Sequence, residues 1–274
     1  MSVLLAIQDL RLGSSGSALT ASLSAGQVMG VFGPSGGGKT RFLHAIFLGE
    51  RHRKGSVRMG GDAILASPSD FSRRSTPESI ARRAAGRSGA SRVAEALAAT
   101  RLWEDRKSTF ASLAPGAQAA CELLPVLASH ALILGIDGQL DRLDPWTRGT
   151  VLELIGKRLG QGCAFVFATS LTELAPRTDL LTVWRAGSPV YAGSYRDLER
   201  RHGWTQIEVE TLHAPSARAL CDPFEVSVKA VDGGLSLKAK EGQALAASLL
   251  LDGYGDVKAV IERPPTPEEV LSGI

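Results

Sequence analysis

Eight consecutive residues, Gly33-Pro34-Ser35-Gly36-Gly37-Gly38-Lys39-Thr40, narrow the folds open to this chain more than any other stretch. They fit the pattern G-x-x-x-x-G-K-[ST], the Walker A or phosphate-binding loop. The residue types follow from what a phosphate group demands. Glycines let the backbone curl until successive N–H groups point into one concavity, an anion nest. A helix starting directly after the loop adds the positive end of its dipole. Lys39 is then placed to reach the outer phosphates, and the Thr40 hydroxyl to complete a Mg²⁺ shell. The flanks agree: residues 28–32 read as a buried strand and residues 41–48 as an apolar-periodic helix, the strand–loop–helix that the motif requires.

The remaining composition excludes several classes. At 274 residues and 44% hydrophobic, the chain is long enough for one large domain or a domain with an appendage. A formal charge of +3 with mixed signs leaves no nucleic-acid footprint. The basic stretch Arg82, Arg83, Arg87 and Arg92 reads as a solvated helix face. Cys121, Cys163 and Cys221 lie far apart at no metal-binding spacing, so buried thiols in a reducing compartment are expected. No apolar run approaches the roughly 18 residues of a membrane span. The start, Met1-Ser2-Val3-Leu4, lacks the features of a signal peptide. The expectation is a cytosolic chain unless a partner holds it at a membrane.

Read in order, residues 3–10 and 18–23 are strands around a Gly- and Ser-rich turn, and residues 55–62 a short strand ending in a turn. Two strands, a P-loop strand and helix, then a further strand form an order that resembles the nucleotide-binding domain of ATP-binding cassette (ABC) ATPases. Later landmarks fit the same frame. Residues 75–103, rich in Ala and Arg, read as helices broken near Gly86 and Gly89, where the family places a helical subdomain that docks on a membrane permease. Leu113-Ala114-Pro115-Gly116-Ala117-Gln118 stands where the family has Leu-Ser-Gly-Gly-Gln, opening a helix over residues 119–128. The interval from Lys39 to Leu113 is shorter than the family's, which implies a trimmed helical subdomain. Residues 131–137 form an apolar strand ending in Asp137, a Walker B pattern, and Leu143-Asp144 falls at the family's D-loop. Residues 151–159 read as a helix, 163–169 as a buried strand, 181–193 as a closing hairpin and 195–200 as a last helix.

From about Gly203 the composition changes. Residues 205–212 read as a strand, 226–231 and 235–239 as a hairpin around Asp232-Gly233-Gly234, 243–251 as a helix and 257–262 as a strand. Thr266-Pro267-Glu268-Glu269 then opens a helix with a capping box. This small tail resembles that of ABC ATPases serving exporters. The resemblance covers residues 3–200 well and the remainder loosely.

The departures from the family pattern concern chemistry. Gly138 stands where the family has its catalytic Glu, and Ser170 where it has the switch His that contacts the γ-phosphate. No glutamine occurs between Gln27 and Gln118, so the Q-loop Gln is missing, with Ser69 a weakly aligned substitute, and the adenine-stacking aromatic expected near Leu12 is absent. In the signature, Ala114 has no hydroxyl and Pro115 no N–H to offer a partner's nucleotide. A positioned base contributes about 10²–10⁴ in rate, roughly 3–5 kcal/mol of barrier.

The sequence therefore predicts an α/β, P-loop NTPase domain of ABC type over residues 1–202. It comprises an antiparallel β subdomain, a RecA-like core and a trimmed helical subdomain, and a small α+β appendage follows over residues 203–274. The resemblance implies that Gly33 to Thr40 hold ATP, with Thr40 and Asp137 on Mg²⁺, and that no residue serves catalysis. Implied partners are an integral-membrane permease and a second ABC ATPase domain, with no nucleic acid, at the inner face of the cytoplasmic membrane. The expected function is an ATP-binding subunit of a transporter, an exporter by its tail, with impaired or absent hydrolysis. Two alternatives stand: an active transport ATPase recruiting a base such as Glu153, and a soluble scaffold that kept the cassette fold.

Overall fold

The computed structural model describes residues 2–13, 16–50, 54–66, 71–87, 89–253 and 255–274. Ser69, the proposed Q-loop substitute, and His52 lie outside the described residues. The chain divides into two compact units, residues 1–194 and 195–274.

In the first unit, β1 (Val3–Arg11), β2 (Leu19–Ser24) and β4 (Lys54–Met59) form an antiparallel sheet in the order β2-β1-β4. The main sheet takes β3 (Val28–Phe32), β5 (Ala63–Leu65), β6 (Ile133–Asp137), β7 (Ala164–Ala168), β8 (Leu180–Arg185) and β9 (Ser188–Gly193) in the order β5-β6-β7-β3-β8-β9. All its pairings are parallel except β8–β9. Its central strands are near-continuous apolar runs, as a parallel sheet covered on both faces requires; every residue of Ala164–Ala168 is buried. Helix α1 (Lys39–Phe47) puts Phe42, Leu43, Ala45 and Ile46 into a core shared with Met29, Val31, Ile133, Val166 and Trp184. Phe42 meets the fully buried Trp184 at a centroid distance of 4.6 Å.

The helical segment comprises α2 (Pro77–Ala85), α3 (Ala90–Ala99) and α4 (Pro115–Ala128). A capping box between Thr76 and Ser79 starts α2, and Gly86 ends it. Arg82, Arg83 and Arg87 are exposed, as a solvated face predicts, whereas Arg92 turns in and donates to the Ser129 carbonyl. Helix α4 begins four residues before the apolar run that marks it, because Pro115 at its first position gives up only an N–H that would have had no helical partner. Helix α5 (Pro145–Gly160) follows β6 and also starts at a proline. All three cysteines are buried. Trp184 lies in the core, but Trp146 is 71% exposed at the start of α5.

The second unit opens with α6 (Tyr195–His202), then runs β10 (Thr205–Thr211), α7 (Ala214–Ala219), β11 (Val226–Val231), β12 (Gly234–Ala239), α8 (Gly242–Asp252), β13 (Val257–Arg263) and α9 (Pro267–Ser272). The composition change near Gly203 thus falls after α6, which packs with this unit. The βαββαβ order and the antiparallel arrangement β11-β12-β10-β13 are those of a ferredoxin-like sheet. One face buries Ile207, Val209, Leu235 and Leu237 against Leu245 and Leu249 of α8. Thr266 and Glu269 form the predicted capping box at α9, and Arg263 adds a 2.8 Å bond to Glu269. Together these contacts hold the Glu269 carboxyl well below the usual carboxylate range, at about 2, with the Thr266 backbone N–H contributing most.

Among the described residues no helix is long and apolar enough to cross a membrane.

Candidate phosphate-binding site

The loop between β3 and α1 has its shape imposed by what lies beneath it. Gly33 has φ +135°, and a Cβ there would stand 2.2 Å from the Trp184 carbonyl oxygen, so only glycine fits. Gly38 has φ +104°, and a Cβ would approach the Gly187 Cα to 2.9 Å. The loop is tied to the same place by Gly187 N–H donating to the Gly37 carbonyl at 2.9 Å. Ala186 and Gly187, both at positive φ, form the two-residue turn of the β8–β9 hairpin, which matches the strand twist as a type I′ turn does. The Walker A loop therefore rests on the tip of that hairpin.

Lys39 folds back along the loop, its Nζ donating to the carbonyls of Gly33 at 2.6 Å and Pro34 at 3.0 Å. Partial burial lowers its pKa, opposed by the charges of Asp141 and Asp137. The Thr40 hydroxyl donates to Asp137 Oδ1 at 3.2 Å. Burial pushes the Asp137 carboxyl up, with Thr40, His44 and Lys39 pulling the other way. A half-buried carboxylate whose side-chain partner is a hydroxyl fits a divalent cation. Mg²⁺ takes hard oxygen ligands and is ordinarily held by one or two protein groups plus phosphates. No cluster of three or more His, Cys, Asp or Glu among the described residues could hold a metal unaided. Thr40 and Asp137 would hold the ion.

The loop lines a cleft of about 740 Å³ together with Arg41, His44, Glu50, Asp137, Gly138, Asp141 and Thr169. Gly33 and Pro34 shape the loop from behind rather than line this cleft. Gly138 presents no side chain and sits at φ +80°, its N–H donating to the Ala168 carbonyl. Gln139, fully buried, accepts from Asp137 N–H at 2.8 Å and donates to the Ala66 carbonyl, fixing the end of β6 to the end of β5. Ser170 is drawn to Asp141, whose carboxylate accepts from the Ser170 N–H at 2.8 Å, the Ser170 hydroxyl at 2.6 Å and the Thr169 hydroxyl. Glu153 is exposed on α5 and is not among the residues lining the cleft.

The signature position presents Ala114, Pro115 and Gly116 exposed at the start of α4, with no side-chain cap. Gln118 turns back to the Leu113 carbonyl. Asp144 caps α5, accepting from Thr147 N–H at 2.9 Å and Trp146 N–H at 3.0 Å, and these bonds lower its pKa. Sequence reasoning missed Asp141, Glu50 and the ion pair of Arg142 with Glu122, a glutamate of α4 that is 4% exposed. Asp141 could have been found as a carboxylate four positions after Asp137. The ion pair had no sequence signal, since its partners are joined only by packing.

Residues 17–139 match the family model described as ABC transporter. A comparison with curated protein sequences found no match. Among solved structures, the ATP-binding subunit of an ABC transporter superposes with a TM-score of 0.62 at 22% identity, covering 72% of this chain and 92% of that one. A bacterial Atm1-family ABC exporter with ATP bound gives a TM-score of 0.60 at 20% identity, covering 73% of this chain and 40% of the exporter. The fold of the first unit is that of an ABC-type nucleotide-binding domain.

Proposed function

Taking the first unit as an ABC-type nucleotide-binding domain, we propose that this chain is the ATP-binding subunit of a membrane transporter, an exporter, and that it holds ATP–Mg²⁺ with little or no hydrolysis. One juxtaposition carries the reading. Lys39, Thr40 and Asp137 gather at a formed phosphate loop, while Gly138 beside them has no side chain and Ser170 is bonded to Asp141. The cleft retains what grips a nucleotide and lacks what activates water. The exposed Ala114-Pro115 start of α4 makes the chain an equally poor donor to a partner's nucleotide.

The chain would work beneath a permease, at the inner face of the cytoplasmic membrane, paired with a second ABC domain. There it clamps, paces or scaffolds that domain, and turnover requires a partner site that tolerates Ala114-Pro115. Asp141 has three of its roughly four acceptor positions taken by Thr169 and Ser170 and is not counted as a replacement base.

The test is equilibrium binding of a fluorescent ATP analogue together with phosphate release, for the wild type and Lys39→Ala. The expected result is micromolar binding lost in Lys39→Ala, no phosphate release by the chain alone, and partner-driven turnover that survives Lys39→Ala here. Robust turnover abolished by Lys39→Ala alone would establish an active ATPase. No nucleotide binding at all would leave a scaffold.

A further inference from the structure

We propose that Asp141 makes the Walker A cleft select a nucleoside diphosphate over a triphosphate. The inference rests on the nucleotide-binding reading and sharpens it by assigning the number of phosphates that the cleft favours.

The charges around the cleft can be followed one by one. Glu50 is hydrogen-bonded to His44 at 3.0 Å. Arg41 reaches away to the Leu12 carbonyl at 2.6 Å. Asp137 is bonded to Thr40 and is the carboxylate that a Mg²⁺ ion would neutralise. Asp141 is different. Its hydrogen bonds come from neutral groups, the Thr169 hydroxyl and the N–H and hydroxyl of Ser170, and no cation among the described residues forms an ion pair with it. Its carboxylate is therefore fixed in place by neutral donors. Of the two aspartates, it is the one that acts more strongly on the Lys39 ammonium.

The donors matter as much as the charge. Thr169 and Ser170 stand at the end of β7, and Thr169 and Asp141 line one cleft with Lys39, the residue type that reaches the outer phosphates. All three of their donors named above are engaged by Asp141. A terminal phosphate arriving there meets a carboxylate and no free donor from this segment. The inner phosphates meet the unaltered loop of Gly36 to Thr40, with its backbone N–H groups and the start of α1. MgATP carries one more negative charge than MgADP, and that charge would lie on the outer phosphate side, in the cleft that Lys39 shares with Asp141.

The test is competition of MgADP and MgATP against a fluorescent ADP analogue on the full chain. Wild type is expected to bind MgADP about tenfold or more tighter than MgATP, a difference of about 1.4 kcal/mol. Asp141→Asn, whose amide oxygen can still accept from Ser170 and whose NH2 can donate to the Thr169 hydroxyl, loses the charge and should tighten MgATP and bring the ratio toward one. Ser170→Ala, which removes the hydroxyl that partly compensates the carboxylate, should widen it. A wild-type ratio of one or in favour of MgATP overturns the proposal, and needs no variant. So does a ratio unchanged in Asp141→Asn. Wild type binding neither nucleotide would instead overturn the underlying reading of the cleft, a result distinct from equal affinities.

Discussion

Placing a carboxylate at the end of β6 by Gly138→Glu tests whether a base at that position confers turnover. The backbone at Gly138 lies at φ +80°, ψ 0°, the left-handed region, and its N–H is held by the Ala168 carbonyl. A Cβ there meets nothing within 4 Å, so the cost of a side chain is conformational and not steric. For an L-residue that cost is about 1–2 kcal/mol. In a unit of this size it corresponds to a melting temperature lower by about 3–6 °C. Gly138→Ala carries the same backbone penalty without the carboxylate and separates the two effects. A placed base is worth about 10²–10⁴ in rate. The introduced carboxylate would not reach that value, because Ser170 remains bonded to Asp141 and a fourth acid joins Glu50, Asp137 and Asp141 in the cleft. The assay is steady-state phosphate release beside thermal unfolding. Phosphate release by Gly138→Glu should stay within about tenfold of wild type, and both variants should melt early. A rise of a hundredfold or more, with stability unchanged, would refute the reasoning.

Three further outcomes follow from particular contacts. Arg142→Ala strips the charge partner from buried Glu122 and should cost about 3 kcal/mol, the low end for a broken buried pair because Arg142 is itself half exposed; the double variant with Glu122→Gln should recover much of it in denaturant titrations. Thr266→Ala removes the cap of α9 and should destabilise the second unit by about 1 kcal/mol, read from a fragment-resolved hydrogen-exchange experiment. The Glu269 carboxyl is lowered to about 2, so its stabilising contribution is fully present above its ordinary pKa of about 4.5 and is lost as pH falls through 2; exchange protection of α9 should decline across that window, and Glu269→Gln should flatten the decline.

Much of the fold could be read from residue patterns. The strand at Val28–Phe32 follows from an unbroken apolar run before a glycine loop, and the break between α2 and α3 from Gly86 and Gly89. The second unit's hairpin and the α9 capping box were legible because turn and cap chemistry is local. Short elements were not. β5 has three residues, and α7 has six with a proline, too few to show a period. The early starts of α4 and α5 were hidden because a proline at the first helical turn reads as a breaker unless its helical neighbours are known. At the cleft, the loop and Asp137 were visible as a pattern. The bonds of Asp141 to Thr169 and Ser170 were not, since they join β7 to the turn after β6, and only the sheet brings those ends together.

The hairpin beneath the Walker A loop has a consequence for how the chain is made. The gripping segment emerges early in synthesis, but the Trp184 carbonyl and Gly187 that give it form come far later. Until they emerge from the ribosome, Gly33 and Gly38 have no floor that selects their positive-φ geometry. A nascent chain that stalls before β8 is delivered therefore lacks the support on which this loop rests.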